Sequence, residues 1–251
     1  MKKIFKHWKL IFVSLAIFLI AGIGSYFYFG YQQKELDKSV QDVQNTAIQA
    51  MEKQQNRQNK QSQQKEMSSD EKAPDTETTE ENQKNEIQIS TSENQPDYVG
   101  KDVKPLTVEA MKKVNAEKVV SNFGMGTIQI PSIGMNLPIL EGMSQENLSV
   151  GAGTMKPNQE LGKGNFALAG HYMTNSGILF GGIKNVKPND SIQVTYNNKT
   201  MNFKVTKIEH ITAEDNQVIF DSEGNGILTL ITCDSSNSNT NGRLMIRGQV
   251  A

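Results

Sequence analysis

The sequence predicts a mainly β domain, a barrel or a sandwich, over residues 99–251. Short segments that are apolar, or that alternate between apolar and polar residues, recur along this region as strands require. Glycine, proline and asparagine separate these segments, and such residues are typical of turns. Helical periodicity is confined to one segment near the start of the region. Many short strands with few helices favour a barrel or a sandwich.

The bulk composition limits what this domain does. The chain has 251 residues and a formal net charge of −1, so its overall charge does not indicate a nucleic-acid partner. It holds one cysteine, which is too few for an internal disulfide or for a Cys-x-x-Cys metal site. The predicted domain is long enough to bury one hydrophobic core.

The N-terminus has the pattern of a membrane anchor. A lysine-rich segment, residues 1–9, precedes a run without charge in which residues 10–31 supply about 22 residues, enough to cross a membrane. The positive-inside rule predicts that residues 1–9 lie in the cytoplasm and that the rest of the chain lies outside the cell. A cleaved signal peptide is the alternative, but the apolar run is long and lacks an A-x-A-like cleavage site.

Residues 32–98 are predicted to form a stalk between the anchor and the domain. In its first part, apolar residues recur at helical spacings, at Leu36, Val40, Val43, Ala47 and Met51. We interpret this part as a solvated helix, with a short coiled coil as the alternative. From about residue 53 onwards the composition is polar, which predicts a flexible tether because such a segment buries too little apolar surface to fold.

The domain begins with a helix and continues with strands. Apolar spacing predicts one short amphipathic helix, N-capped by Thr107, that contains Val108, Met111, Val114 and Val119. The predicted strands are 127–130, 136–140, 165–171, 191–196, 201–209, 227–233 and 244–250. The pair Asn197-Asn198 between two of these strands predicts a tight hairpin.

Cys233, the only cysteine, ends the apolar segment 226–233. A polar loop, residues 234–242, follows it, so we expect the thiol at the end of a rigid strand where solvent begins. The strand fixes the position of the sulfur and the strand end leaves it reachable, which makes Cys233 a candidate nucleophile. The alternative is an inert cysteine in the core.

A catalytic thiol needs a base, because a free cysteine is mostly protonated at neutral pH. Of the three histidines, His7 falls on the cytoplasmic side of the predicted anchor. His171 follows an apolar segment, residues 166–170, and precedes a polar loop, as Cys233 does. His210 lies beside charged residues near the end of a strand, which indicates a rim or surface position. We therefore predict that His171 is the base.

The predicted domain has two arginines, Arg243 and Arg247, both in its last strand. They are four residues apart, so they should share one face of the strand. Arg243 is nearer to the loop that leaves Cys233, and its guanidinium suits a substrate carbonyl or a developing oxyanion. An exposed surface charge is the alternative. Together, Cys233, His171 and Arg243 favour a Cys–His–Arg enzyme.

These segments resemble those of sortases, the transpeptidases that attach proteins to the cell wall of Gram-positive bacteria. The segment 229–234 resembles the T-L-x-T-C signature of the family, 167–171 resembles the segment of its histidine, and 242–246 resembles that of its arginine. The segments 130–139 and 151–155 also resemble class A sortases.

The resemblance implies an eight-stranded closed β-barrel with short helices. It implies that Cys233 is the nucleophile, His171 the general acid and base, and Arg243 the donor to the substrate carbonyl and oxyanion. The implied reaction cleaves the LPXTG-type sorting signal of a surface protein between Thr and Gly and forms a thioacyl-enzyme. An amine of the peptidoglycan precursor, lipid II, then accepts the protein. The implied location is the cell membrane, with a single span and an extracellular catalytic domain.

Class A fits better than the pilin-building class C. Class C sortases carry a D-P-aromatic lid and usually a C-terminal membrane helix, whereas here residues 96–98 read Pro-Asp-Tyr and the chain stops at Ala251. Some class A enzymes are stimulated by calcium. We expect no cofactor, and we interpret the acidic candidates for a calcium site as a solvated loop: Glu214, Asp215, Asp221 and Glu223.

Two other functions compete with this one. A cysteine peptidase would hydrolyse the acyl-enzyme, although the order His171 before Cys233 differs from papain-like enzymes and the caspase signature is absent. A tethered β-barrel that only binds ligands would keep Cys233 buried and unreactive. For the enzyme, we expect residues 211–226 and 234–242 to form the walls of a peptide groove.

Overall fold

The computed structural model describes residues 2–67, 95–101, 103–221, 226–237 and 240–251. Its strands are β1 (Gly124–Ile130), β2 (Met135–Leu140), β3 (Ala152–Thr154), β4 (Asn165–Ala169), β5 (Ser191–Tyr196), β6 (Lys199–Thr212), β7 (Ile227–Cys233) and β8 (Gly242–Val250). Within the described residues these eight strands close into a barrel in the order β1-β2-β3-β4-β7-β8-β6-β5. The mainly β prediction is confirmed, and the domain is a barrel rather than a sandwich.

The described helices are α1 (Lys2–Met67), α2 (Val108–Met111), α3 (Ala116–Phe123) and α4 (Gln145–Val150), with 3₁₀ helices at Pro131–Ile133, Leu179–Asn185 and Asn216–Ile219. The prediction of one helix around residues 108–119 is wrong, because Asn115 starts a second one. The Asn115 side chain accepts a hydrogen bond from the Lys118 N–H at 2.9 Å, as an N-cap does. Thr107 caps α2 as predicted, accepting from the Ala110 N–H at 3.1 Å.

Two parallel pairs interrupt an otherwise antiparallel barrel. β2 pairs with β3 and β4 pairs with β7 in parallel, and the other neighbours are antiparallel. The predicted hairpin joins β5 to β6 through Asn197 and Asn198, whose φ angles are 49° and 62°. A two-residue type I′ turn requires positive φ at both positions, and asparagine tolerates it.

The barrel interior is apolar and holds β7 firmly. Phe166 of β4 packs edge-on against Tyr196 of β5, with ring centroids 4.8 Å apart. Two threonines of β7 are buried and both have partners: Thr229 Oγ1 bonds Asn165 Oδ1 at 2.7 Å, and Thr232 Oγ1 donates to the Gly170 carbonyl at 2.8 Å. Buried polar groups with partners cost little, so the final residue of β7 rests on a well-fixed strand.

The helical half of the predicted stalk packs on the domain. Val40, Ala47 and Met51 of α1 are 0–1% exposed. Val40 packs in the core cluster of the barrel, and Ala47 and Met51 pack in a cluster that contains Val120 and Leu140. The interpretation as a solvated helix is therefore wrong, because the apolar stripe at helical spacing is buried against α3 and the barrel. The flexible tether was predicted from about residue 53, and this is wrong for residues 53–67, because α1 continues as a helix to Met67. Residues 68–94, the rest of the predicted tether, lie outside the described residues.

The N-terminal end of α1 contains the predicted anchor, residues 10–31. In the part of the chain that the structure describes, no helix combines the length and the apolar character that crossing a membrane requires. The transmembrane segment stays a prediction from the sequence.

Candidate active site

Cys233 and Arg243 are register partners in the antiparallel pair of β7 and β8. Cys233 is the last residue of β7, as predicted, and Arg243 is the second residue of β8. Cα atoms directly opposite each other in such a pair lie about 4.5–5.5 Å apart. The thiol is unpaired and its residue is half-buried. The end of the β7–β8 ladder therefore places the half-buried cysteine and Arg243 directly opposite each other.

His171 is brought to the same end of the barrel by the parallel pair of β4 and β7. Ala169 of β4 is the register partner of Ile231. Past the end of β4, the Gly170 N–H donates to the Ile231 carbonyl at 3.1 Å, and Thr232 Oγ1 donates to the Gly170 carbonyl at 2.8 Å. The predicted strand 165–171 is thus two residues too long, but these bonds hold His171 alongside the end of β7.

Gly170 and Phe180 hold the backbone of His171 from the other side. The Phe180 N–H donates to the His171 carbonyl at 3.1 Å. The Phe180 ring lies so close to Gly170 that a Cβ at this position would be 2.5 Å from it. Only glycine permits this contact, so the glycine before His171 has a packing role.

The His171 imidazole is neutral at neutral pH. The residue is half-buried as a whole, but its Nε2 is buried and has no hydrogen-bond partner among the described residues. Burial disfavours the charged form and lowers the pKa of His171 to about 4. A neutral imidazole is able to take a proton from a nearby thiol or amine, which is the task of a general base.

The loop between β7 and β8 orients Arg243. Its Nη1 donates to the Thr240 carbonyl at 3.0 Å and to the Gly242 carbonyl at 2.9 Å. The Thr240 hydroxyl in turn donates to Asp234 Oδ1 at 2.7 Å, and this bond is the main cause that lowers the pKa of Asp234. A Cβ on Gly242 would collide with the Asp234 carboxylate. The residues on both sides of the loop therefore fix the direction of the guanidinium.

The three side chains line one cavity of about 420 Å³. The segments 211–219 and 235–237, together with Thr240, form two of its walls. These walls belong to the two regions that the sequence predicts for a peptide groove. Residues 222–225 of the first region lie outside the described residues.

A third wall of the cavity was not predicted. It consists of residues between 99 and 105, namely Val99, Gly100, Val103, Lys104 and Pro105. The chain just before it is tied to the barrel, because the Tyr98 hydroxyl donates to Glu141 Oε1 at 2.8 Å. Burial is the main cause that raises the pKa of Tyr98. The last residue of the predicted stalk, Tyr98, is therefore held against the barrel.

The alternative histidine, His210, and the second arginine, Arg247, are not among the residues that line the cavity. His210 is exposed on β6, opposite Leu244, and does not line the cavity. Arg247 shares a strand face with Arg243, as predicted, and is the register partner of Thr229. Its Nη2 donates to the Val218 carbonyl at 3.0 Å, so it ties the 3₁₀ helix at 216–219 to β8.

The acidic residues that were considered for calcium have local partners. Asp215 accepts from the Thr212 N–H at 2.7 Å, Asp221 pairs with Lys156 at 2.6 Å, and Glu214 accepts from Asn241 at 2.8 Å. Glu223 lies outside the described residues. In the described ranges, no three His, Cys, Asp or Glu side chains are grouped closely enough to hold a metal ion.

A thiol, a neutral imidazole and a guanidinium that share one cavity are suited to nucleophilic catalysis by cysteine. Residues 128–251 match the model of the sortase family, described as the Sortase domain. A putative sortase of Bacillus subtilis is 35% identical over 96 residues, a match that covers 38% of this chain and 92% of the relative. The chain therefore belongs to the sortase family.

Sortase A proteins are among its relatives, which supports the class A assignment. The sortase A of Bacillus anthracis is 39% identical over 126 residues, 50% of this chain and 59% of the relative. The sortase A of Listeria monocytogenes is 39% identical over 116 residues, 46% of this chain and 52% of the relative. The chain thus spans about half the length of these two relatives. A solved structure of the Listeria enzyme aligns with a TM-score of 0.48 at 36% identity, over 51% of this chain and 87% of that one.

Proposed function

We propose that this protein is a class A cysteine transpeptidase that anchors surface proteins to the cell wall. Cys233 is the nucleophile, His171 the general acid and base, and Arg243 the donor to the substrate carbonyl and oxyanion. The observation that carries the proposal is the convergence of these three residues, from β7, β8 and the end of β4, on one cavity.

The first half of the reaction transfers the acyl group to the thiol. The neutral His171 imidazole takes the proton of the Cys233 thiol as the sulfur attacks the threonine carbonyl of an LPXTG-type signal. The guanidinium of Arg243 stabilises the negative charge that develops on the carbonyl oxygen. The Thr–Gly C–N bond then breaks, and the imidazolium of His171 gives its proton to the leaving glycine amine. A thioester between Cys233 and the threonine remains.

The second half transfers the acyl group to an amine. The amine of the peptidoglycan precursor attacks the thioester carbonyl, and His171 takes a proton from the attacking nitrogen. The C–S bond breaks, and the proton passes to the leaving sulfur, so that the Cys233 thiol and the neutral imidazole are restored. The product is an amide bond between the surface protein and the precursor.

The cavity supports a peptide as the substrate. It is open at the rim of the barrel. Its three walls come from the described residues of 99–101 and 103–105, from the segment 211–219, and from residues 235–237 with Thr240. Backbone and short polar groups line it together with apolar residues such as Ile219 and Val218. Such a mixture suits an extended peptide with one or two apolar side chains.

The test is ligation by the full chain in detergent micelles, with an LPXTG peptide and an oligoglycine or diaminopimelate-type amine. We expect mass spectrometry to detect the new amide, and we expect Cys233→Ala, His171→Ala and Arg243→Ala to abolish it. His210→Ala is the matched control for the base, and it should keep the activity. An active His171→Ala with an inactive His210→Ala would contradict the assignment.

The same reaction separates the rival functions. A peptidase would give the free threonine acid at the same rate with and without the amine. A ligand-binding barrel would give neither product, and its Cys233 would resist a thiol-directed reagent.

We also propose that residues 10–31 attach the protein to the cell membrane, with the barrel on the outside. The support is the uncharged run after a lysine-rich start, together with the extracellular substrates of the proposed reaction. Protease treatment of intact cells should degrade the barrel. Membrane extraction with carbonate should leave the chain in the membrane fraction.

A further inference from the structure

The loop that follows His171 touches α1 at a point that the proposed mechanism does not use. Gln44 of α1 is 7% exposed, and its Oε1 accepts a hydrogen bond of 2.8 Å from the backbone N–H of Leu179. The two residues are far apart in the sequence, and the bond is buried. A buried backbone N–H without a partner is destabilising, so Gln44 satisfies a group that otherwise destabilises the loop.

Leu179 needs this support because its backbone is strained. Its φ angle is 44°, in the left-handed region that residues other than glycine rarely adopt. Its side chain is 1% exposed, so the residue is held from both sides. Strained residues of this kind persist only where their surroundings fix them.

Leu179 is directly connected to His171. The next residue, Phe180, donates its N–H to the His171 carbonyl at 3.1 Å, and its ring packs on Gly170. A second contact reaches the same loop, since the Asn175 side chain donates to Asp37 Oδ2 at 3.3 Å. Asp37 and Gln44 are two helical turns apart, so one face of α1 supports the loop at both points.

We propose that Gln44 is a positioning residue for His171, and that the face of α1 around Asp37 and Gln44 is a structural part of the active site. Gln44 fixes Leu179, Leu179 sets the place of Phe180, and Phe180 holds the His171 backbone beside Cys233. The effect of Gln44 on the reaction rests on the proposed function, whereas its effect on the loop does not.

The test uses three variants of the full chain in detergent micelles. Gln44→Met keeps the size of the side chain but cannot accept the bond from Leu179, and Gln44→Glu keeps an acceptor. Gln54→Met is the matched control, because Gln54 lies on the same helix and donates to the Gly124 carbonyl at 3.2 Å, at the start of β1. It removes a bond between α1 and the domain without touching the loop after His171.

Two measurements need no substrate. In Gln44→Met we expect the Leu179 amide to exchange with solvent at least about 10-fold faster, because it has lost its partner. We also expect the ring resonances of His171 to shift in histidine-labelled protein. Gln44→Glu and Gln54→Met should leave the Leu179 exchange rate and the His171 resonances close to those of the wild type. The claim that Gln44 supports the Leu179 N–H would be wrong if exchange at Leu179 were unchanged in Gln44→Met, or if Gln54→Met gave the same response.

The third measurement is ligation. Gln44→Met should lower kcat on the order of 10-fold with the peptide KM within about 2-fold, since small misplacements of a catalytic group cost this much. An unchanged kcat together with faster exchange at Leu179 would overturn the positioning role. If the wild type ligates no LPXTG peptide, the proposed function fails. The Leu179 exchange and the His171 resonances then decide the role of Gln44 by themselves.

Discussion

Cys233 and Arg243 face each other at the last described rung of the β7–β8 ladder. The loop that joins them returns onto itself, because the Asp234 N–H donates to the Gly242 carbonyl at 3.2 Å and Arg243 Nη1 donates to that same carbonyl. Backbone pairing therefore places the two residues opposite each other, and the loop carbonyls of Thr240 and Gly242 hold the Arg243 side chain. This relationship makes the geometry of the site sensitive to changes in the strands and in the loop after His171.

The two arginines of the barrel allow a matched test of the guanidinium. Arg243→Lys should lower the ligation rate about 100-fold, because an ammonium does not reproduce the planar fork of donors that the proposed role at the oxyanion requires. Arg247→Lys should change the rate less than about 3-fold and lower the free energy of unfolding by about 1 kcal/mol, through the bond to Val218. Steady-state kinetics and urea unfolding measure the two effects. Equal loss of activity in both variants would contradict the roles.

The buried imidazole predicts a dependence of stability on pH. The pKa of His171 is about 4 in the folded protein against 6.5 for the free side chain, so between these values the unfolded chain binds more protons. The contribution of the neutral His171 side chain to the free energy of unfolding is fully present above about pH 6.5. It is lost as the pH falls towards 4, and the total loss is at most about 3 kcal/mol. On lowering the pH from 7 to 4.5, wild type should lose roughly 2 kcal/mol more than His171→Gln in urea unfolding. Identical losses would show that the imidazole is not buried.

The contact between Gly170 and Phe180 predicts a coupled pair. Gly170→Ala should lower the free energy of unfolding by about 1–3 kcal/mol and reduce ligation, because the new methyl group displaces either the ring or His171. Adding Phe180→Leu to Gly170→Ala should restore part of the free energy of unfolding and part of the ligation activity. A double-mutant cycle measures the coupling energy, and additive effects would mean that the two residues do not compete for space.

The packing of α1 on the domain is tested by neighbouring residues of that helix. Met51 is 1% exposed and Glu52 is exposed. Met51→Ala should lower the free energy of unfolding by about 2 kcal/mol or more, as truncation of a buried side chain does. Glu52→Ala should stay within about 0.5 kcal/mol. If neither substitution changed the free energy of unfolding, this part of α1 would be solvated on all sides.

Local patterns predicted the strands that carry the site. The bounds of β5 and β7 agree with the prediction, because each is an apolar or alternating segment between polar turns. β3 was missed, since three small residues, Ala152–Thr154, give no periodicity to read. The six-residue helix α4 was missed for the same reason.

The contacts that complete the cavity are long-range, and one sequence does not show them. The apolar stripe between Leu36 and Met51 predicted a helix with one apolar face. The stripe itself does not indicate which part of the chain packs on that face. Gln44 is a polar residue in that stripe, and its partner Leu179 lies on the other side of the predicted tether. The candidate side chains of the site were predicted from local features, whereas the contacts that support them are pairings between distant segments.

The hydrogen bond between Gln44 and Leu179 also fixes the distance along α1 between the predicted anchor and the rim of the barrel that holds the candidate site. Residues 31 and 44 lie on one continuous helix, and thirteen residues of α-helix rise about 20 Å. If residues 10–31 anchor the chain, the rim works at a short, constant distance above the lipid headgroups. In the proposed reaction, a sorting signal and a lipid-linked acceptor would then both reach the thiol close to the bilayer surface.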